Sequence, residues 1–211
     1  MSKIKKIVEE KLKQAQRKIK KKTFSNDNRL PPGQTLTTKF PILDLGITPD
    51  IDISKWRLKI FGLVNQELNI SYEDLKKYLQ VQETSDFHCV THWSKFDVQW
   101  GGVRARDVLN MAGINKSADY VTLHSYDDYT TNIPLKVLMD EDVIIAHQVF
   151  EEPLPPEHGG PVRLVIPKRY AWKSAKWLKA IEIHKGDKPG FWEVRGYNNN
   201  ADPWAEERYS E

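Results

Sequence analysis

The sequence has little cysteine: Cys89 is the only one among 211 residues. A single thiol cannot form an intramolecular disulfide, and zinc sites built on paired cysteines are excluded. Long apolar runs are also missing, because no segment approaches the roughly 18 residues that a membrane-spanning helix needs. The N-terminus has neither the apolar core of a secretory signal nor a twin-arginine pattern. We therefore expect a cytoplasmic protein whose lone thiol has either a packing role or a chemical one.

The positive charge is concentrated in one segment. Residues 1–22 contain ten Lys and Arg against Glu9 and Glu10, whereas the whole chain has a formal charge of only +3. Apolar residues recur in this segment at helical spacing, at Ile4, Ile7, Val8, Leu12, Ala15 and Ile19. This pattern predicts a basic amphipathic helix over residues 1–22 that packs on its own domain, on a partner or on an anionic membrane surface. Because the remainder is mildly acidic, we expect no nucleic-acid partner.

Residues 23–211 are expected to form one domain. The stretch 22–49 has four prolines and no period, which indicates an extended arm. Apolar and polar residues alternate from Trp56 to Ile60, as in a half-buried strand. The patterns predict strands at residues 56–60, 68–70, 85–90, 120–124, 143–150, 162–166 and 180–184, and helices at 71–79 and 103–112. Many strands with short helices favour an α+β fold with a mixed, β-rich core.

The lone thiol stands between two imidazoles. His88, Cys89 and His92 lie at the end of a predicted strand. A neighbouring histidine can activate a thiolate nucleophile. Zinc is a second possibility, although adjacent strand residues point to opposite faces and make His88 and Cys89 poor joint ligands. A soft thiolate can also hold a metal whose other ligands come from a cofactor.

Two further clusters favour the third chemistry. Residues 155–163 place His158 and Arg163 around two glycines, where backbone can approach a ligand and a planar guanidinium can bind phosphate. Residues 170–177 offer Ser174 and Lys176 among aromatic side chains, which suits a phosphate without the glycine pattern of a nucleotide-triphosphate loop.

Four segments in this order resemble the molybdopterin-binding domain of the sulfite oxidase family. They are Phe-His-Cys-Val-Thr-His-Trp-Ser at 87–94, Trp-Gly-Gly-Val at 100–103, His-Gly-Gly-Pro-Val-Arg at 158–163 and Trp-Lys-Ser-Ala-Lys-Trp at 172–177. The resemblance covers about residues 36–209, and residues 190–204 are typical of stand-alone bacterial and archaeal members.

The resemblance implies a molybdenum that is bound by the dithiolene of one molybdopterin and by Cys89. It implies two-electron oxygen-atom transfer on a small substrate such as sulfite or a sulfoxide, with a separate electron-transfer partner. The implied cofactor-binding residues are Phe40, Leu43, Asp44, Cys89, His124, His158, Arg163, Ser174, Ala175 and Lys176. The candidates for the catalytic and substrate site, besides Cys89, are His88, His92, Arg104, Tyr126 and Arg169.

One departure from the family pattern concerns the substrate. Vertebrate-type sulfite oxidases have arginines directly after the cysteine, whereas Val90, Thr91 and His92 follow Cys89 here. The resemblance therefore does not imply a sulfite-specific pocket. Two other classes stay open from the residues: a cysteine-dependent hydrolase or transferase that pairs Cys89 with a histidine, and a non-enzymatic adaptor that binds through residues 1–22.

Overall fold

A computed structural model describes residues 3–16 and 29–210. Its helices are α1 (Lys3–Gln16), α2 (Tyr72–Lys77), α3 (Ala105–Ala112) and α4 (Leu135–Leu138). Its strands are β1 (Thr35–Leu36), β2 (Arg57–Gly62), β3 (Leu68–Ser71), β4 (Val81–His88), β5 (Trp93–Arg104), β6 (Tyr120–Ser125), β7 (Thr130–Pro134), β8 (Ile144–Val149), β9 (Glu152–Pro153), β10 (Arg163–Val165) and β11 (Leu178–His184). The mixed sheets and short helices confirm the predicted α+β class.

Two sheets divide the strands. In the first, β5 lies at the centre, antiparallel to β4 and β8 and parallel to the short β1, with β10 beyond β8. The second sheet has the order β3-β2-β11-β6-β7, and only its β2–β11 pair is parallel. The hairpin of β4 and β5 and the edge strand β10 carry the segments that contain Cys89 and Arg163.

The core follows the alternation of the sequence. Trp56, Leu58 and Ile60 are fully buried, whereas Arg57 and Lys59 between them are exposed. This is the period-two pattern of a strand with one face on the core. Ser71 caps α2 by accepting a hydrogen bond from the Asp74 amide, as the sequence predicted.

Several predicted bounds are wrong, and four strands, β1, β5, β7 and β9, were not predicted. Val103 and Arg104 continue β5, so the helix predicted at 103–112 begins at Ala105. The strand predicted at 85–90 begins at Val81 and ends at His88. Strand β5 escaped prediction because it contains Asp97 and two glycines, which disfavour strands locally, although pairing with β4 and β8 stabilises it. Strand β7 also lacked a clear alternating pattern in the sequence.

Helix α1 rests on the globular part of the chain. Val8 and Leu12 pack against the main hydrophobic core, as the amphipathic pattern favoured. Residues 1–2 and 17–22 of the predicted helix and residues 23–28 of the predicted arm lie outside the described residues. None of the helices that the structure describes has the length and apolar character required to cross a membrane.

Candidate functional site

Cys89 lies in the tight connection between β4 and β5. Its amide donates to the Trp93 carbonyl at 2.9 Å, and the His92 amide donates back to the Cys89 carbonyl at 3.1 Å. His92 adopts a φ of +70°, a left-handed conformation that is uncommon outside glycine, asparagine, aspartate and histidine. The Gln34 side chain donates to the Cys89 carbonyl at 3.0 Å. The backbone around the thiol is therefore held from both the hairpin and the arm.

The thiol opens into a cavity. Burial raises the pKa of Cys89, partly offset by its hydrogen bond with the Thr91 hydroxyl, 3.1 Å away. A thiol in this setting stays neutral near pH 7 until a metal displaces its proton. The residues that line the cavity come from α1, the arm, the β4–β5 hairpin, the loop after β6 and the segments around residues 158, 174 and 192.

Arg163 is the most deeply buried cation of this cavity. Its guanidinium donates to the carbonyls of His158 at 2.8 Å and Ser174 at 2.9 Å, so it joins two loops. It also lies over the rings of Phe87 and Trp100, 5.2 and 5.3 Å from their centroids. Burial lowers the pKa of Arg163 to about 9, and no carboxylate among the described residues forms an ion pair with it. A buried cation without an acidic partner favours an anionic ligand.

Ser174 and Lys176 follow a 3-10 turn at Ala171–Lys173. The Ser174 hydroxyl accepts from the Ile166 amide at 2.9 Å, and the Lys176 ammonium donates to the Glu157 carbonyl at 2.6 Å. Burial, and then repulsion by Arg163, lower the pKa of Lys176 to about 7. A bound anion opposes both effects, because it stabilises the charged form of the lysine.

The arm closes the cavity through Phe40. Its ring stacks on His158 with centroids 4.2 Å apart, and it meets Phe87 edge-on at 5.7 Å. Burial and the nearby charges of Lys176 and Arg163 lower the pKa of His158, so its ring is neutral near pH 7. Aromatic faces, a neutral imidazole and two unpaired cations suit a flat heterocycle that carries a negative group.

Most of the predicted cofactor-binding residues share this cavity. Those that line it are Phe40, Leu43, Asp44, Cys89, His158, Arg163, Ser174 and Lys176. Ala175 is buried behind the wall, where its carbonyl accepts from the Leu164 amide of β10. His124 lies elsewhere, in a second groove, and its ring meets the Glu182 carboxylate at 3.1 Å. Strand alternation explains this placement, because Leu123 faces the core and His124 the opposite side.

The candidates for the substrate pocket do not line the cavity. Tyr126 lies in the second groove and hydrogen-bonds the backbone of Arg57. His88 directs Nδ1 at Ser94 at 2.8 Å, on the strand face opposite Phe87, and burial lowers its pKa to about 4. His92 directs Nδ1 at the Gly33 carbonyl at 3.0 Å.

The two arginine candidates also lie outside the cavity. Arg104 donates to the Glu141 carbonyl, and Arg169 donates to the Lys168 carbonyl at 2.9 Å. Both arginines donate to main-chain carbonyls at the surface and not to groups that line the cavity. A role for Arg104 or Arg169 in the reaction stays a prediction.

Several residues of the cavity were not predicted from the sequence. They are Lys11, Asp127, Tyr129, Trp172, Trp192 and Tyr197. Asp127 lies three residues after the end of the predicted strand 120–124, and burial raises the pKa of its carboxyl. A short polar turn after a strand was the available signal for Asp127. Lys11 had none, because its helix carries many other lysines.

The geometry gives little support to zinc or hydrolase chemistry. Across residues 3–16 and 29–210, no three His, Cys, Asp or Glu side chains come together as a metal site. The Nδ1 atoms of His88 and His92 bond Ser94 and Gly33, and the thiol bonds Thr91. Among the described residues the hydrogen-bond partner of the thiol is Thr91, which cannot serve as the base of a Cys–His dyad.

The lining therefore fits the cofactor that the motifs imply. One soft thiol is available for a metal, and the remaining metal ligands must come from a bound group. Arg163, Ser174 and Lys176 would hold the phosphate of a molybdopterin, and Phe40 and His158 would flank its ring system.

Comparisons with known proteins agree with the cofactor that the motifs imply. Residues 45–192 match a family described as an oxidoreductase molybdopterin binding domain. An uncharacterized oxidoreductase of Bacillus subtilis, YuiH, is 44% identical over 192 residues, which cover 90% of this chain and 97% of that protein. Mitochondrial sulfite oxidase of Rattus norvegicus is 27% identical over 178 residues, covering 71% of this chain and 33% of that protein. The crystal structure of the sulfane dehydrogenase SoxCD from Paracoccus pantotrophus has the same fold, with a TM-score of 0.61 and 22% identity over 66% of this chain and 40% of that one.

Proposed function

Because the chain belongs to the oxidoreductase molybdopterin-binding domain family, we propose that it catalyses two-electron oxygen-atom transfer at a molybdenum whose protein ligand is Cys89. The chain is thus an oxidoreductase of the sulfite oxidase type, and its cofactor is molybdopterin with molybdenum. The single observation that carries the proposal is the cavity into which the Cys89 thiol opens together with the unpaired cations Arg163 and Lys176.

The residues of the chain have distinct tasks in this proposal. Cys89 fixes the metal at the wall of the cavity, and the hydrogen bond from Gln34 to its carbonyl holds the loop in place. Arg163 binds negative charge while it ties together the loops of His158 and Ser174. The Arg163 guanidinium is buried, so its attraction for an anion is weakly screened.

The bound cofactor supplies a centre that exchanges two electrons and an oxygen atom. In the oxidative direction a substrate and one water give the oxygenated product, two protons and two electrons; reduction of an oxide is the reverse. A separate electron-transfer partner accepts or donates these electrons. The proposed substrates are small sulfur compounds such as sulfite or a sulfoxide, in line with the sulfite oxidase relative. We also propose a cytoplasmic location.

The experiment uses protein purified from a host that makes the cofactor. Sulfite-dependent reduction of ferricyanide measures oxidation, and sulfoxide-dependent consumption of reduced viologen measures reduction. Protein from a host that cannot make the pterin is the matched control. We expect that only the molybdenum-loaded protein turns over, in one of the two directions. Oxidation in ¹⁸O-water should place the label in the product, and reduction of an ¹⁸O-labelled oxide should place the label in water.

The opposite results are equally clear. Turnover by the molybdenum-free protein at the same rate would contradict a cofactor-dependent reaction. It would favour the alternative hypothesis of a cysteine-dependent hydrolase or transferase. A fully loaded protein that transfers oxygen to or from none of the sulfur compounds and N-oxides tested would contradict oxygen-atom transfer.

A further inference from the structure

Helix α1 contributes to the wall of the cofactor cavity. Val8 and Leu12 anchor it on the core, and the Leu12 carbonyl accepts from the Tyr209 hydroxyl at 3.5 Å. Lys11, between these anchors, points into the cavity and donates its ammonium proton to the main-chain carbonyl of Asp44. The basic helix is therefore part of the site and not a separate appendage.

Lys11 differs from its neighbours on the helix. Lys6 and Lys13 are exposed, whereas Lys11 is partly buried. Burial lowers the pKa of Lys11, against attraction by the carboxylate of Asp44. Desolvating an ammonium is costly unless an anion or several acceptors compensate it. A solvated lysine on this helix would avoid that cost by turning outward.

The partner of Lys11 is a carbonyl, so its charge is not neutralised. The carboxylate of Asp44 instead accepts from the Gly46 amide at 2.7 Å. No ion pair of Lys11 occurs among the described residues. With Arg163 and Lys176 the cavity has three cations, against the carboxylates of Asp44 and Asp127. The cavity therefore has an excess of positive charge when Lys176 is protonated.

The residues that follow Cys89 bear on the role of the Lys11 charge. Its next residues are Val90 and Thr91, which offer no cation. Lys11 lines the same cavity as the thiol and comes from a segment remote in sequence. Lys11 thus brings a cation from α1 to the part of the cavity wall that Val90 and Thr91 form, where neither side chain is charged.

We propose that Lys11 binds an anionic oxygen group in this cavity, so that α1 completes the ligand site. The proposal rests on the proposed function, which places a cofactor there. Two sources can supply the anionic oxygen: the phosphate of the pterin, or an oxyanion substrate beside the metal. In either case the ammonium of Lys11 replaces water as a partner of the anion, at a site where screening by solvent is weak.

The test compares Lys11→Gln with Lys13→Gln, an exposed lysine on the same helix. Lys11→Arg keeps the charge and is the rescue variant, and circular dichroism checks that all variants fold. One arm measures molybdenum and phosphorus per chain through repeated gel filtration. The other arm titrates the molybdenum-loaded protein with sulfate at constant ionic strength and follows the fluorescence of Trp93, Trp172 and Trp192 in the cavity wall.

A charge-assisted hydrogen bond contributes enough for roughly a 10-fold loss of affinity in Lys11→Gln. Faster loss of molybdenum and phosphorus from Lys11→Gln identifies the cofactor phosphate as the anion. Intact metal content with roughly 10-fold weaker sulfate binding identifies the substrate oxyanion. Lys13→Gln and Lys11→Arg should behave like the wild type in both arms.

Equal behaviour of Lys11→Gln and Lys13→Gln in both arms would overturn the role of Lys11 and leave the proposed function untouched. A folded wild-type protein that carries no molybdenum from a competent host would instead overturn the proposed function, and this inference with it.

Discussion

The buried ion pair of Lys173 and Glu193 should stabilise both the fold and the cofactor site. The Lys173 ammonium lies 2.6 Å from the carboxylate, and the two side chains are 0% and 2% exposed. The same carboxylate oxygen accepts from Thr131 at 2.8 Å and from the Trp172 indole at 3.0 Å. Lys173→Met leaves this carboxylate with neutral donors only, in a buried setting.

Removing one partner of such a pair typically costs about 3–5 kcal/mol. We therefore expect Lys173→Met to lower the free energy of unfolding by that amount. Lys173 also donates to the Asn132 carbonyl at 2.8 Å, which adds to the loss. Ser174 directly follows Lys173, so the variant should also lose molybdenum faster during gel filtration. Lys185→Met, at an exposed lysine, should change stability by less than about 0.5 kcal/mol.

The assay is urea unfolding followed by tryptophan fluorescence, with the double variant Lys173→Met/Glu193→Gln completing a cycle. Because the double variant leaves no uncompensated charge, it should be more stable than the sum of the single effects predicts. A loss below about 1 kcal/mol in Lys173→Met, at an unchanged slope against urea, would refute the reasoning. Strict additivity would refute the coupling of the two charges.

Three further predictions concern the same framework. The lysine of Arg163→Lys lacks the planar guanidinium that bridges the His158 and Ser174 carbonyls. The affinity of the variant for the molybdenum cofactor should therefore fall at least about 10-fold. A molybdenum content equal to that of the wild type would contradict this. Gly102→Ala places a Cβ against the Ile145 carbonyl oxygen, closer than a real Cβ can approach, and should lower the free energy of unfolding in urea by about 1–3 kcal/mol; an unchanged midpoint would contradict this. Because the pKa of Lys176 is about 7, its positive charge is present at lower pH and is lost as pH rises. The cofactor-free protein should therefore bind sulfate more tightly at pH 6 than at pH 8. A sulfate affinity that does not change with pH and equals that of Lys176→Gln would contradict this prediction.

The family, the enzyme class and the cofactor could be predicted from the sequence, and the comparisons confirm all three. They were accessible because four short motifs, at 87–94, 100–103, 158–163 and 172–177, stand in the order in which the sulfite oxidase family has them. Alternation also predicted that His88 and Cys89 point to different faces, as the structure shows.

The rest of the site depends on contacts between distant segments. His124 ends a strand that the sequence predicted, but the sequence did not specify which groove the His124 side of that strand would line. Lys11 enters the cavity only because Val8 and Leu12 dock α1 on the core. Neither docking nor sheet register can be derived from local propensity, since both depend on tertiary burial.

The most direct test of the central claim is molybdenum X-ray absorption on the wild type and on Cys89→Ser, each purified from a host that makes the cofactor. The account predicts a cysteine sulfur at the metal in addition to the dithiolene sulfurs in the wild type, and loss of that one sulfur in Cys89→Ser. Identical sulfur shells in the two proteins would show that Cys89 is not a ligand and would contradict the account.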